Sequence, residues 1–203
     1  MTVTLIDYGL GNIQAFANIY RRLNISVGVA RTAEELVSAQ RIILPGVGAF
    51  DWAMDRLNAS GMRACLDDLV LAKERPVIGI CVGMQMMALR SDEGARAGLG
   101  WFDAEVKRLP AKATENPVQL PHMGWNDVYS ADNALFSGIA DPRFYFLHSY
   151  YFSPADPAHV LASADYHGSF AAAVNKGNIF GVQFHPEKSH HWGVQLLKNF
   201  AEI

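Results

Sequence analysis

Pro76-Val-Ile-Gly-Ile-Cys-Val-Gly83 is the stretch on which the fold turns. It begins as a short apolar run, read as a strand over Pro76 to Ile80, and Val82 to Leu89 then reads as a helix. The same alternation precedes it. Val3 to Ile6 leads to a helical Ile13 to Leu23, Ile25 to Ala30 to Ala33 to Ala39, and Arg41 to Leu44 to Phe50 to Asn58. Repeated βα units of this kind predict a parallel sheet covered by helices. Thr32-Ala-Glu-Glu35 reads as a capping box, and Ser60 is placed to cap a helix carrying Met62, Leu66, Leu69 and Val70 on its apolar side.

Beyond Gly100 the pattern turns to strands: Ala104 to Leu109, Trp125 to Tyr129, Phe144 to Phe152, Val160 to Asp165 and Ala171 to Val174. The last pairs with Ile179 to Phe184 across Asn175-Lys-Gly-Asn178, whose residues tolerate positive φ. His191 to Ala201 reads as a closing helix. With no repeat, low-complexity tract or linker, residues 1–203 are expected to form a single α/β domain. Its two halves would share a central mixed, mostly parallel sheet flanked by helices.

Within the opening stretch, Gly79-Ile-Cys81-Val-Gly83 has the pattern of a nucleophile elbow with cysteine at its centre. So sharp a turn strains the central residue, and glycine two positions to either side removes side chains that would strike the neighbouring strand and helix. The free N–H groups and positive dipole end of the following helix favour thiolate over thiol. The same groups, that of Val82 above all, can hold an oxyanion formed when the sulfur adds to a carbonyl. A buried cysteine in a packed Gly-rich turn is the plain alternative.

Gln183-Phe-His185-Pro-Glu187 tips the balance. In an extended segment, residues two apart share a face, so Glu187 can reach the ring of His185, and Pro186 ends strand pairing. A carboxylate accepting one ring N–H fixes the tautomer and frees the other nitrogen to exchange a proton with a thiol. Cysteine, histidine and glutamate thus form a nucleophile, base and orienting group in chain order.

Bulk properties exclude other classes. Seventeen basic and twenty acidic residues, spread along the 203, give a net charge of -3 and no basic stripe for nucleic acid or polybasic membrane anchor. Half the residues are apolar, enough for a substantial core. The opening Met1-Thr-Val-Thr-Leu-Ile-Asp7 has neither charged leader nor long apolar run, and the two cysteines cannot form a disulfide framework, so a cytoplasmic protein is expected.

Taken together, the elbow and the late His-x-Glu make the chain similar over its whole length to the class I, or triad, glutamine amidotransferases. Six segments narrow the resemblance to the glutaminase subunits of imidazole glycerol phosphate synthase. These are Ile6-Asp-Tyr-Gly-Leu-Gly-Asn12, Leu44-Pro-Gly-Val-Gly-Ala-Phe50, Gly79-Ile-Cys-Val-Gly-Met-Gln85, Pro121-His-Met-Gly-Trp-Asn126, Tyr145-Phe-Leu-His-Ser-Tyr150 and Gly181-Val-Gln-Phe-His-Pro-Glu-Lys-Ser189. The resemblance implies hydrolysis of L-glutamine through a thioester on Cys81, with His185 and Glu187 assisting and no cofactor. It implies a second oxyanion donor from the backbone of Val47, and places Gly48, Gln85, Glu93, His148, Ser149 and Tyr150 around the substrate. Glu93 would answer the α-ammonium by charge. Ammonia set free in neutral water is mostly ammonium, which has no lone pair for attack, so direct transfer to a partner is expected. The resemblance makes that partner a (β/α)8 cyclase, one to one, which forms imidazole glycerol phosphate and an aminoimidazole carboxamide ribonucleotide in histidine biosynthesis. Asn12, Met123, Trp125 and Lys188 are the expected interface residues.

Other features read as structure. Cys65 shares a helix face with Met62 and Leu69 and is taken as core, and Met84, Met86 and Met87 as packing. His185, His190 and His191 with Glu187 suggest a metal only superficially, since no cysteine pair supports zinc and the triad uses two of them, so no metal is expected. Tyr8-Gly-Leu-Gly-Asn12 is an incomplete dinucleotide fingerprint, with Gln14 in place of the third glycine. Two rival functions remain: a cysteine hydrolase of peptides or other small amides, and a glutaminase-like module that only regulates a partner. Gln85 and Glu93 favour a small amino-acid substrate over the first, and the intact triad argues against the second.

Overall fold

The computed structural model describes residues 2–203 apart from Ala111, Thr114 and Glu115. Its first half is β1 (Thr2–Ile6), α1 (Ile13–Arg22), β2 (Ser26–Ala30), α2 (Ala33–Leu36), β3 (Arg41–Gly46), α3 (Phe50–Ala59), α4 (Arg63–Asp67), β4 (Val77–Cys81), α5 (Val82–Gln85) and β5 (Arg90–Ser91). The second half comprises β6 (Ala104–Arg108), β7 (Lys112–Ala113), β8 (Asn116–Pro117), β9 (His122–Asp127), β10 (Tyr129–Ser130), β11 (Arg143–His148), β12 (Tyr150–Pro154), β13 (Val160–Asp165), β14 (Ser169–Lys176), β15 (Ile179–Val182) and α6 (His190–Glu202).

An eight-stranded sheet runs β10-β13-β14-β15-β4-β3-β1-β2. From β15 to β2 every pairing is parallel, and from β10 to β15 every pairing is antiparallel, so the mixed and mostly parallel sheet read from the pattern is present. β-Branched and leucine side chains of the parallel strands, including Val3, Leu5, Ile42, Ile43, Leu44 and Ile78, are fully buried. Phe16 and Tyr20 of α1 and Leu196, Leu197 and Phe200 of α6 belong to the same core. The Tyr20 hydroxyl ties the two helices together by donating to the Leu197 carbonyl at 3.0 Å.

Several local expectations change. The helix after Cys81 stops at Gln85 rather than Leu89, because the carbonyls of Met86, Met87, Ala88 and Leu89 accept bonds from residues 98–102 instead of the next turn of a helix. The helix from Ala33 ends at Leu36. Its Thr32 hydroxyl does accept from Glu35 N, but the Glu35 carboxylate returns to the N–H of Arg31, one residue before the cap. Ser60 sits in the turn between α3 and α4, accepting from Met62 N, while Met62 holds the N-cap position of α4. The single run Phe144 to Phe152 breaks at Ser149 into β11, paired with β9, and β12, paired with β6. Trp125 to Tyr129 likewise divides between β9 and β10. The second half therefore supplies smaller sheets beside the central one. Alternation gives a strand's period but not its neighbour.

Candidate active site

Cys81 ends β4 with φ 55° and ψ -113°, a conformation that costs a non-glycine residue free energy and persists only where its surroundings impose it. Glycines impose it here. A Cβ on Gly79 would lie 2.6 Å from the Gly83 carbonyl oxygen, one on Gly83 would strike the Leu44 carbonyl, and one on Gly46 the Gly83 amide. β3, β4 and the start of α5 thus interlock through backbone alone. Because α5 is one turn long, its contribution lies in the N–H groups at its start more than in a macrodipole.

β15 is the parallel neighbour of β4, with Val182 opposite Ile80, so the chain leaving β15 emerges at the same end of the sheet as Cys81. His185 is pinned there through its backbone. Its N–H donates to Tyr145 O at 2.9 Å, and its carbonyl accepts from the Ser189 hydroxyl at 2.6 Å, which in turn accepts from Tyr145 N at 3.0 Å. The strand has ended by then, and Glu187 stands on a short 3-10 turn, Pro186–Lys188, rather than on the extended segment expected. The turn still delivers its carboxylate: Glu187 Oε1 lies 2.9 Å from His185 Nδ1, and both side chains are under 5% exposed. A carboxylate only accepts, so Nδ1 carries the proton and Nε2 is left for the sulfur. Burial alone would pull the His185 pKa down, but the Cys81 sulfur and the Glu187 carboxylate overcome it and push it up to about 10. The second Glu187 oxygen is buried and has no hydrogen-bond partner among the described residues.

A cleft of about 310 Å³ opens over the sulfur. It brings together Cys81, His185, Val47, Val82, Gly48, Gln85, Glu93, His148, Ser149 and Tyr150, with Glu187 behind the imidazole. Tyr8, buried, donates to the Pro45 carbonyl at 2.7 Å and so braces the turn that carries Val47 and Gly48. Glu93 has a second task, since its Oε2 accepts from Phe50 N at 2.8 Å where α3 lacks a side-chain cap. His148 is committed on both ring nitrogens, to Tyr150 O at 2.8 Å and to His122 Nδ1 at 3.0 Å. Burial holds its pKa down at about 3 and that of His122 at about 4.

Of the expected interface residues, Lys188 lines the cleft itself, and Met123 and Trp125 project from β9 with 62% and 37% exposure. On the same outward face stand Leu147, opposite Met123, and Tyr145, opposite Trp125. The Trp125 ring stacks on His190 at 5.1 Å. Asn12 is the N-cap of α1, accepting from Ala15 N, on a helix whose Ala15 and Asn18 share a surface pocket with Glu187. Among the described residues no group of histidine, cysteine or acidic side chains could hold a metal ion. Cys65 is half-buried, and burial raises its pKa.

The sequence reading passed over Pro121 and Leu147, which also line the cleft, and Gln183. Fully buried, Gln183 accepts from Gln85 Nε2 at 3.0 Å and points its own Nε2 at Cys81 Sγ, 3.7 Å away. A signal was available, because the two-residue spacing that links His185 to Glu187 also links Gln183 to His185.

The family model described as glutamine amidotransferase class-I matches residues 4–203. The chain is 57% identical to the imidazole glycerol phosphate synthase subunit HisH of Bdellovibrio bacteriovorus, across 99% of this chain and 100% of that one. It is 50% identical to the subunit of the same name from Leptospira interrogans, over the same shares of each chain. Among solved structures, a glutamine amidotransferase superimposes with a TM-score of 0.76 at 19% identity, covering 99% of both chains. PurLQS from Thermotoga maritima gives 0.70 at 17% identity, over 99% of this chain and 97% of that one. These distant structures share the fold.

Proposed function

Because this chain belongs to the class-I glutamine amidotransferases, in the family of HisH subunits of imidazole glycerol phosphate synthase, we propose that it hydrolyses L-glutamine on Cys81 and passes the ammonia to a cyclase. His185 takes the thiol proton, and the sulfur adds to the side-chain carbonyl carbon. The oxyanion is held by the backbone N–H groups of Val82 and Val47. His185 returns the proton to the leaving nitrogen, ammonia departs, and water hydrolyses the thioester to glutamate by the same steps in reverse. Gly48, Gln85, Glu93, Ser149 and Tyr150 surround the amino-acid end of the substrate, with His148 behind them. The observation that carries this reading is the convergence on one cleft of an elbow cysteine and a histidine oriented by a buried carboxylate. The cleft's size suits a single amino acid better than a peptide.

The partner in this reading is a (β/α)8 cyclase bound one to one, making imidazole glycerol phosphate for histidine biosynthesis. The exposed β9 and β11 face, with Met123 and Trp125, adjoins the cleft through Leu147 and supports an interface there, to which Lys188 and Asn12 would contribute. We read residues 1–203 as one glutaminase domain and assign the protein to the cytoplasm. Among the described residues no helix is long and apolar enough to cross a membrane.

The test is Cys81→Ala reconstituted with the cyclase. Glutamine-dependent product should fall by at least about 10³-fold, while ammonium salt still supports synthesis, increasingly so as pH rises and more ammonia is unprotonated. Normal turnover of glutamine by the intact mutant complex would remove Cys81 from the mechanism.

A further inference from the structure

One backbone carbonyl fixes the direction of a buried hydrogen-bond chain that ends on the nucleophile. Tyr150 O can only accept, and two groups point at it, His148 Nδ1 at 2.8 Å and Gln85 Nε2 at 3.0 Å. The Gln85 atom there must therefore be its NH2. That nitrogen has no acceptor capacity, so its second contact, with Gln183 at 3.0 Å, is also donated, and Gln183 must present Oε1 to it. What remains facing Cys81 Sγ, at 3.7 Å, is the Gln183 NH2. The other branch is equally determined. His148 donates from Nδ1 and so accepts at Nε2 from His122 Nδ1–H. His122 Nε2 then accepts from Asn126 Nδ2, whose other hydrogen goes to Asp165 O at 2.8 Å. Neither amide can flip and neither ring can change tautomer without setting a buried donor against a donor or a buried acceptor against an acceptor.

We propose that Gln183 is a further catalytic residue of the glutaminase, donating an N–H to the Cys81 sulfur and so favouring its anionic form. This rests on the reading of Cys81 as the nucleophile. In the ion-paired state the proton sits on His185 and the negative charge on sulfur, and a donor aimed at that charge from a water-free position strengthens with it. A donor that cannot turn round stays with the sulfur when the thioester breaks and the charge returns. The other titratable groups that line the sulfur's cleft are His148, His185, Tyr150, Glu93 and Lys188, with Tyr8 and Glu187 close by. Only His185 exchanges a proton with it in the reaction.

The experiment measures the rate at which iodoacetamide alkylates Cys81 across pH, with peptide mapping to separate it from Cys65. It uses the full chain, Gln183→Met and Gln183→Glu. Methionine keeps most of the volume and removes the donor. The midpoint should rise by about one pH unit, and alkylation below it should slow about tenfold. Glutamate, a carboxylate beside the sulfur, should shift it further. A folded Gln183→Met with the wild-type profile overturns the proposal. Should the variants fail to fold, glutamine-labelled protein supplies the answer: the Gln183 side-chain amide resonances should move on Cys81→Ala, and resonances that stay put overturn it. A wild-type Cys81 inert at every pH removes the glutaminase reading itself, whereas a reactive Cys81 indifferent to Gln183 removes only the donor.

Discussion

Glu187 gives one carboxylate oxygen to the His185 ring, at 2.9 Å, and acts on that buried ring by its negative charge as well as by the hydrogen bond. Glu187→Gln preserves the shape and removes the charge. The His185 pKa should then fall from about 10, because burial is no longer opposed by a carboxylate, and the alkaline limb of glutamine hydrolysis should move to lower pH. The rate should drop by about 10²-fold or more, less than in His185→Ala, as a pH–rate profile of both variants would show. A Glu187→Gln enzyme with an unmoved alkaline limb would deny the charge its role. The pair was legible in the sequence because two residues apart is a local relation. Gln183 carries the same two-residue spacing, whereas Leu147 and Pro121 take their meaning only from what faces them across the cleft.

The elements were legible to different depths. Runs such as Val3 to Ile6 and Val77 to Ile80 showed themselves by composition and by the helices between them. The break at Ser149 did not, because β11 and β12 share one period and differ only in partners, β9 and β6, that lie far off in sequence. The shortening of α5 was equally hidden, since the acceptors it forfeits are satisfied by residues 98–102. Ser189 joins such elements directly. It links β11 to the turn carrying the base by donating to His185 O and accepting from Tyr145 N, with no exposed surface of its own. Ser189→Ala leaves the buried Tyr145 N–H without its acceptor and His185 O with only the Lys188 N–H, and should cost about 1–3 kcal/mol. Because the damage falls on the backbone of His185, catalysis should drop as well. Urea denaturation and glutamine turnover measure the two losses, and a stable variant with full activity would show that the turn holds itself.

Across the molecule, three buried histidines set the pH range in which the fold is most stable. His185 binds its proton more tightly when folded than an ordinary histidine at 6.5, so its contribution is complete below 6.5 and is lost as pH rises through about 10. His122 and His148 refuse protons when folded, so theirs is complete above 6.5 and is lost as pH falls from there through about 4 and 3. His122 is held neutral between Phe146 and Tyr166, at 4.9 and 4.0 Å between ring centres. Each histidine contributes a slope of up to about 1.4 kcal/mol per pH unit within its window. Stability to urea should therefore peak near neutrality and fall faster on the acid side, where two rings act together. Histidine ring resonances provide the direct check: His122 and His148 should not titrate down to about pH 5, nor His185 up to about pH 9. The strand leading to the base is also the seam of the sheet, since β15 lies between β4 and the antiparallel strands. A chain synthesised from its amino terminus makes the cysteine turn long before the histidine exists, and the two meet only when β15 closes that seam. Reactivity is thus among the last properties the fold acquires: a nascent or partly opened chain carries an unarmed thiol, and only the finished sheet arms it.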